Sequence, residues 1–323
     1  MAGSDVPDFN RDIRPILSEN CFHCHGPDKA SRKAKLRLDL ETGIFAMRDG
    51  MALVAPGDVE ASLLHAMITS DDPDEIMPPQ DSKKTLTSEQ IALLETWIAN
   101  GAPWASHWAY QAPERPDVPA VNARRYRARN PIDHFVTDRL QAEGLSMSQP
   151  AKREQLLRRV SLDLIGLPPS PADVQAYVDD PSPMALAYEQ AVNRLLASEH
   201  FGERWARPWL DLARYADSNG YQADQLRPSW AYRDWVIKAL NANMPFDQFT
   251  IEQLAGDLLP KSTRDQKIAT GFHRTVTCNV EAGVHAEENR VNQVVDRINT
   301  TSTVWLGSTL ECAQCHDHKY DPF

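Results

Sequence analysis

Four of the chain's five cysteines fall in two copies of one pattern, Cys21-Phe22-His23-Cys24-His25 and Cys312-Ala313-Gln314-Cys315-His316. The Cys-x-x-Cys-His spacing is that of covalent c-type haem attachment. Two thiols separated by two residues lie on one side of a turn, where each can add to a porphyrin vinyl group and form a thioether. The histidine that follows is carried beneath the ring, where its imidazole ligates iron. From this composition about 0.002 matches are expected by chance, so two are not accidental. The sequence therefore predicts two covalent haems c, one on Cys21, Cys24 and His25 and one on Cys312, Cys315 and His316. Four thiols can also hold zinc, but such pairs usually lie close in sequence, and Cys312 follows Cys24 by 288 positions. A redox Cys-x-x-Cys belongs in a βαβ setting, and the spacing around these motifs is helical. Cys278 stands alone and reads as a small buried hydrophobe.

A haem of this kind takes a sixth iron ligand. Met77, in Glu75-Ile76-Met77-Pro78-Pro79, offers a soft thioether on a loop stiffened by two prolines. Met47, Met51 and Met67 compete with it, and His65 sits inside an apolar helical stretch where a structural role is commoner. For the second haem no Met-Pro element follows the motif. His273 and His285 are the upstream candidates, and an iron without a second protein ligand is the third option.

The elements that must carry these residues are helical. Phe9, Ile13, Ile16 and Leu17 recur at helical spacing before the first motif, with Pro15 as a distortion. An irregular stretch follows from Lys29 to Pro79. Thr87-Ser88-Glu89-Gln90 is a capping box, ahead of Ile91, Leu94, Trp97 and Ile98 on one face and Gly101 as the stop. A haem motif at the end of one helix, a long loop and a closing helix make residues 1–105 a class I cytochrome c-like domain. Residues 106–130 read as a Pro/Arg-rich linker, whose five arginines against two acids leave +3 between flanks of −7 each. Residues 131–323 read as a larger all-helical domain ending in the second motif, with starts at Asn130-Pro131 and Ser170-Pro171 and stops at Gly144 and Gly166. The fold class expected is mainly α.

Net charge is −11, which argues against a nucleic-acid partner, because phosphates need a basic face. Mean hydropathy is −0.48 and no apolar run approaches a membrane span. Within 131–323, Asp211, Arg214, Tyr215 and Asp217 share a helix end. With Tyr221, Arg227, Tyr232, Arg233 and Asp234 they make either a substrate or propionate pocket or a set of helix ion pairs and buried tyrosines. Glu287 and Glu288, near Asp296, read as an acid–base pair or as a solvated helix face.

Several longer stretches carry a resemblance. Phe9 to Leu17 leading into Cys21-Phe22-His23-Cys24-His25-Gly26-Pro27-Asp28, then Leu36-Arg37-Leu38-Asp39 and Met77-Pro78-Pro79, resemble the Planctomycete cytochrome C domain. Trp209 to Tyr221, Tyr232-Arg233-Asp234-Trp235-Val236, Gln253 to Pro260 and Cys312 to Pro322 resemble the domain that follows it in the same exported proteins. The resemblance implies an exported, haem-bearing protein and points to a carbohydrate-type substrate. The leading reading of the motifs is an electron-transfer protein, part of a larger oxidoreductase, periplasmic or at the cell surface, with a redox partner protein or domain. The resemblance also implies a longer parent chain, and Met1-Ala2-Gly3-Ser4-Asp5 carries no export signal of its own. The family usually has Gly-Gly and no histidine at Glu281-Ala282-Gly283-Val284-His285, so His285 inherits no role from it. Two other readings stand beside this one. One is a haem enzyme with an open second iron; the other is a non-redox surface module whose cysteine pairs bind zinc.

Overall fold

The computed structural model describes residues 6–48, 50–122, 128–279, 281, 283–316 and 318. Arg124, Arg125 and Arg127 of the expected linker, and Asp317 and 319–323 of the last motif stretch, lie outside the described residues. The chain is mainly α. Its described strands form one hairpin, β1 (Met47–Arg48) antiparallel to β2 (Met51–Ala52). No helix among the described residues is long and apolar enough to cross a membrane. The backbone groups into two compact units: Met1–Arg115 with Leu310–Phe323, and Pro116–Thr309. The sequence reading divided the chain at 105 and 130 and kept 310–323 with the helical region.

The first unit begins with a π-helical turn, Phe9–Ile13, capped by the Asp8 carboxylate, which accepts from the Arg11 amide at 2.7 Å. Helix α1 (Arg14–Asn20) continues it. Pro15 stands in the first turn, where a missing N–H removes no helical bond, so the expected distortion falls at a helix start. Helix α2 (Phe22–His25) is the haem motif itself. The 29–79 stretch is less irregular than its sequence suggests: it holds α3 (Glu41–Ile44), the hairpin and α4 (Leu63–Ile68). Helix α5 (Ser88–Ala99) carries the Thr87–Gln90 capping box in full, with both reciprocal hydrogen bonds made. Ile13, Leu17, Leu38, Ile44, Leu94, Trp97 and Ile98 form the core. Phe9 packs on Trp97 and Trp104 at centroid distances of 5.7 and 4.3 Å, and the Arg14 guanidinium lies over the Phe9 ring at 5.1 Å.

The second unit contains α6 (Pro131–Ala142), α7 (Arg153–Leu164), α8 (Pro171–Asp179), α9 (Met184–Leu196), α10 (Glu199–Leu212), α11 (Trp230–Asn241), α12 (Phe246–Ala255), α13 (Arg264–Ala269) and α14 (Ala286–Thr301). A small core joins α7, α8 and α9 through Leu157, Val160, Tyr177 and Ala191. A larger one joins α10 to α13 through Ala206, Leu210, Trp235, Val236 and Phe249. Helices α10 and α11 touch at Gly202, where any side chain would meet the Ile237 carbonyl at 2.5 Å. The Asn241 side chain closes the same contact, accepting from the Gly202 amide at 2.7 Å.

Candidate functional site

In the first motif the amides of Cys24 and His25 both donate to the Cys21 carbonyl, at 3.1 and 2.8 Å. This turn brings the two thiols and the imidazole into one local frame, as the two-residue spacer requires. The carbonyls of Cys24 and His25 then accept from Lys33 N at 2.7 Å and Leu38 N at 2.8 Å. Leu38 is itself buried in the core, so the Leu36-Arg37-Leu38-Asp39 stretch ties the motif to the hydrophobic interior. Arg32 donates to the carbonyls of Gly26 (2.8 Å) and Pro27, and Ser31 donates to His23 O at 2.8 Å. Sequence reasoning singled out neither Arg32 nor Ser31. Gly26 has a steric reason to be glycine: a Cβ there would stand 2.2 Å from the Phe22 carbonyl oxygen.

The surroundings fit a covalent haem. Burial lowers the His25 pKa, with the Lys33 backbone opposing, which keeps the imidazole neutral and its lone pair available. Its Nδ1 is buried with no hydrogen-bond partner. Burial, with the neighbouring Cys24, pushes the Cys21 thiol up to about 12, so it stays protonated. Met77 is half-buried, and its amide donates to Met67 O at 2.9 Å, which fixes its loop to the end of α4. Met47 and Met51 are exposed on the hairpin. His65 is engaged by Glu95, Nε2 to Oε1 at 3.0 Å.

The second motif makes the same turn more loosely. Cys315 N and His316 N both donate to Cys312 O at 3.4 Å. Cys312, Cys315 and His316 are exposed, whereas His318 is buried. Among the described residues no three His, Cys, Asp or Glu side chains converge as a metal site.

The two histidines named for its sixth ligand lie in the second unit with other contacts. His273 Nε2 meets the Leu254 carbonyl at 3.3 Å, its Nδ1 is buried without a partner, and its carbonyl accepts from Arg297. His285 caps α14, its Nδ1 accepting from Glu288 N at 3.3 Å.

Around 211–234 the side chains make the ion pairs and the buried tyrosine of the second alternative and not one shared pocket. Tyr232 is core: its hydroxyl donates to Gln253 Oε1 at 2.7 Å beneath Trp209, and burial raises its pKa. Tyr215 is pushed up to about 12 by burial and by its 2.6 Å bond to Asp217. Arg233 pairs with Asp234 at 2.9 Å, and Arg227 donates to Val276 O at 2.7 Å. Arg214 reaches across the sequence to Asp296, with both guanidinium nitrogens on the carboxylate at 2.7 and 2.6 Å. Four candidates do meet: Tyr221, His285, Glu288 and Asp296 line one cavity of ≈ 550 Å³. Asn289, Asn292 and Gln293 line it too and were missed. Their three- and four-residue spacing on one helix was the available signal.

Residues 131–323 match the model of a family described as a protein of unknown function (DUF1549). The chain belongs to that family. Residues 21–81 match the Planctomycete cytochrome C model, a span that holds both the first motif and Met77. The first unit thus carries a cytochrome c-type domain, for which the cofactor is covalent haem c. No curated protein and no solved structure matches the chain.

Proposed function

We propose that the DUF1549 chain is an exported two-haem electron carrier, working as the electron-accepting part of a larger oxidoreductase beside a redox partner protein or domain. One observation carries the reading. Both Cys-x-x-Cys-His segments, far apart in sequence, fold into the same turn with both amides returned to the first cysteine's carbonyl. In this reading Cys21 and Cys24 hold one porphyrin with His25 and Met77 on its iron, and Cys312 and Cys315 hold the other with His316. Bound haem supplies reversible one-electron exchange. The chain's own residues fix the ligand frame and keep His25 neutral. Haem is attached to such motifs outside the cytoplasm, which is why the reading places the protein in the periplasm or at the cell surface.

The test is a pyridine haemochrome count on protein expressed with a haem maturation system. Two haems per chain are expected, surviving denaturing electrophoresis, and one after Cys21→Ala with Cys24→Ala. Bound zinc with no Soret band would replace this reading with the zinc module. A near-infrared charge-transfer band that vanishes in Met77→Ala and survives in Met47→Ala and Met67→Ala identifies the first sixth ligand.

A second reading, a haem enzyme whose second iron stays accessible, is favoured by one fact: His273 and His285 both have other contacts. A low-spin second haem that binds carbon monoxide slowly supports the carrier. A high-spin one, reproduced in a longer chain, supports the enzyme.

A further inference from the structure

The cytochrome c-type domain is acidic except in one place. Residues 1–105 carry −7, yet Lys29, Arg32, Lys33, Lys35 and Arg37 fall within nine positions, and no acid stands among them. The structure separates the five by what they touch. Arg32 is engaged by the carbonyls of Gly26 and Pro27, and Arg37 by Asp39 at 2.7 Å. Lys29, Lys33 and Lys35 are exposed, and among the described residues none of the three is in an ion pair. Like charges crowded on one loop repel one another, and an opposite charge from outside the chain relieves that repulsion.

The loop that presents them is built onto the first motif. Ser31 donates to His23 O at 2.8 Å, Lys33 N to Cys24 O at 2.7 Å and Leu38 N to His25 O at 2.8 Å. Ala34 and Lys35 hold left-handed backbone, φ +49 and +54, which residues with side chains avoid. From β1, Arg48 donates to the Ala34 carbonyl at 2.7 Å and ties this turn to the hairpin. The same hairpin leaves Met47 66% and Met51 43% exposed. Unpaired lysines beside adaptable apolar thioethers have the anatomy of a protein interface, in which apolar groups meet a polar rim. A free anion would make no use of the methionines. A nucleic acid would meet the acidic remainder of a chain of net charge −11.

We propose that this loop and hairpin form the docking surface for a partner protein whose face is acidic and carries a few exposed apolar side chains. The proposal deepens the carrier reading and rests on it for the partner's role. Attraction to Lys29, Lys33 and Lys35 steers the partner to the first haem motif and away from the acidic rest of the domain.

Fluorescence anisotropy on the full haem-loaded chain tests it with two labelled peptides, decaglutamate and a peptide of the same charge interspersed with leucines. Both should bind at about 20 mM salt and weaken severalfold by about 200 mM, as exposed charges do when screened. The leucine peptide should bind more tightly. Lys29→Glu, Lys33→Glu and Lys35→Glu together should raise both Kd values about tenfold or more. Met47→Gln with Met51→Gln should erase the difference between the peptides. Lys83→Glu with Lys84→Glu, at exposed lysines outside the loop, should change either Kd less than about threefold. Lys33 holds Cys24 through its amide, so the triple variant keeps that bond, and an unchanged haem count checks the motif. The same count keeps the two readings apart. A chain without haem sinks the carrier, whereas full haem with neither peptide bound overturns the docking surface alone. Binding that survives in the triple variant also overturns it and moves the contact to the arginines of 106–130. Tighter binding to phosphatidylglycerol vesicles than to either peptide overturns it in favour of a membrane surface.

Discussion

Cys21–His25 and Cys312–His316 are one motif in two settings. In the first, the amides that return to the leading cysteine do so at 3.1 and 2.8 Å. In the second, both stand at 3.4 Å. The first packs Cys21 and Phe22 against a core of Ile13, Leu17 and Trp97, and residues up to Leu38 secure its carbonyls. The second exposes both cysteines and its histidine. Five residues therefore encode the turn but not the environment. In the first site the environment is written into the next dozen or so positions, Arg32, Lys33 and Leu38 among them.

The sharpest way to break this comparison is thiol reactivity in the haem-free chain. The thiolate is the nucleophile, and burial pushes Cys21 up to about 12, against an ordinary value near 9. At pH 8 its thiolate fraction is then on the order of 10⁻⁴. Iodoacetamide at pH 8, read by peptide mapping, should label Cys312 and Cys315 at least about 100-fold faster than Cys21. The Cys21 rate should climb about tenfold per pH unit towards pH 12. Equal labelling at pH 8 would mean that the first motif is no better packed than the second.

Next in size is the core. Trp97 is fully buried, and its indole N–H donates to Pro103 O at 3.0 Å. Trp97→Ala should remove roughly 3–5 kcal/mol from the first unit. Two calorimetric transitions are expected, and only one should move, because α10 to α13 close their own core. Haem on the first motif should fall with that transition. A shift of both transitions would show that the units do not unfold separately.

Gly26→Ala comes third. The new methyl would stand 2.2 Å from Phe22 O, and relief requires backbone movement inside the motif, at roughly 1–3 kcal/mol. A lower melting temperature together with a changed first-haem spectrum is expected. A melting temperature within error of the parent would show that the turn has room to relax.

What the sequence disclosed follows the reach of each interaction. Caps were legible because they close over three residues: Thr87 with Gln90, Ser170 with Asp173, and Asn130 with Asp133 all bond as read. The motif turns were legible for the same reason. Which face a helix buries depends on partners far along the chain, and there the reading stopped. For Tyr232 the local pattern left a pocket and a core open, and its bonds to Gln253 and Trp209, 21 and 23 positions away, take it into the core. Val294 and Ile298 had core spacing, but α14 turns them outward. Arg214 and Asp296 meet across 82 positions, beyond any local pattern. The convergence of Tyr221 and Asn279 on the polar face of α14 depends on the same long-range packing.

The smallest expected effect separates geometry from charge at the first motif. Arg32 bonds two carbonyls that immediately follow His25, those of Gly26 and Pro27, through two different guanidinium nitrogens. Such a fork fixes the direction in which the chain leaves the motif, and a lysine ammonium can keep the charge but not the two-point geometry. Arg32 is only partly buried, which discounts the usual 1.5–3 kcal/mol of a charged hydrogen bond to about 1 kcal/mol. Arg32→Ala and Arg32→Lys should therefore lose similar amounts, read as a fall of a few degrees in the melting temperature of the first unit. Haem on the second motif should be unaffected by either. Full rescue by lysine would mean that Arg32 acts as a point charge on the acidic 1–105 surface. The support of the first motif would then rest on the Ser31 hydroxyl, which donates to the His23 carbonyl, and on Lys33 and Leu38, whose amides hold the carbonyls of Cys24 and His25.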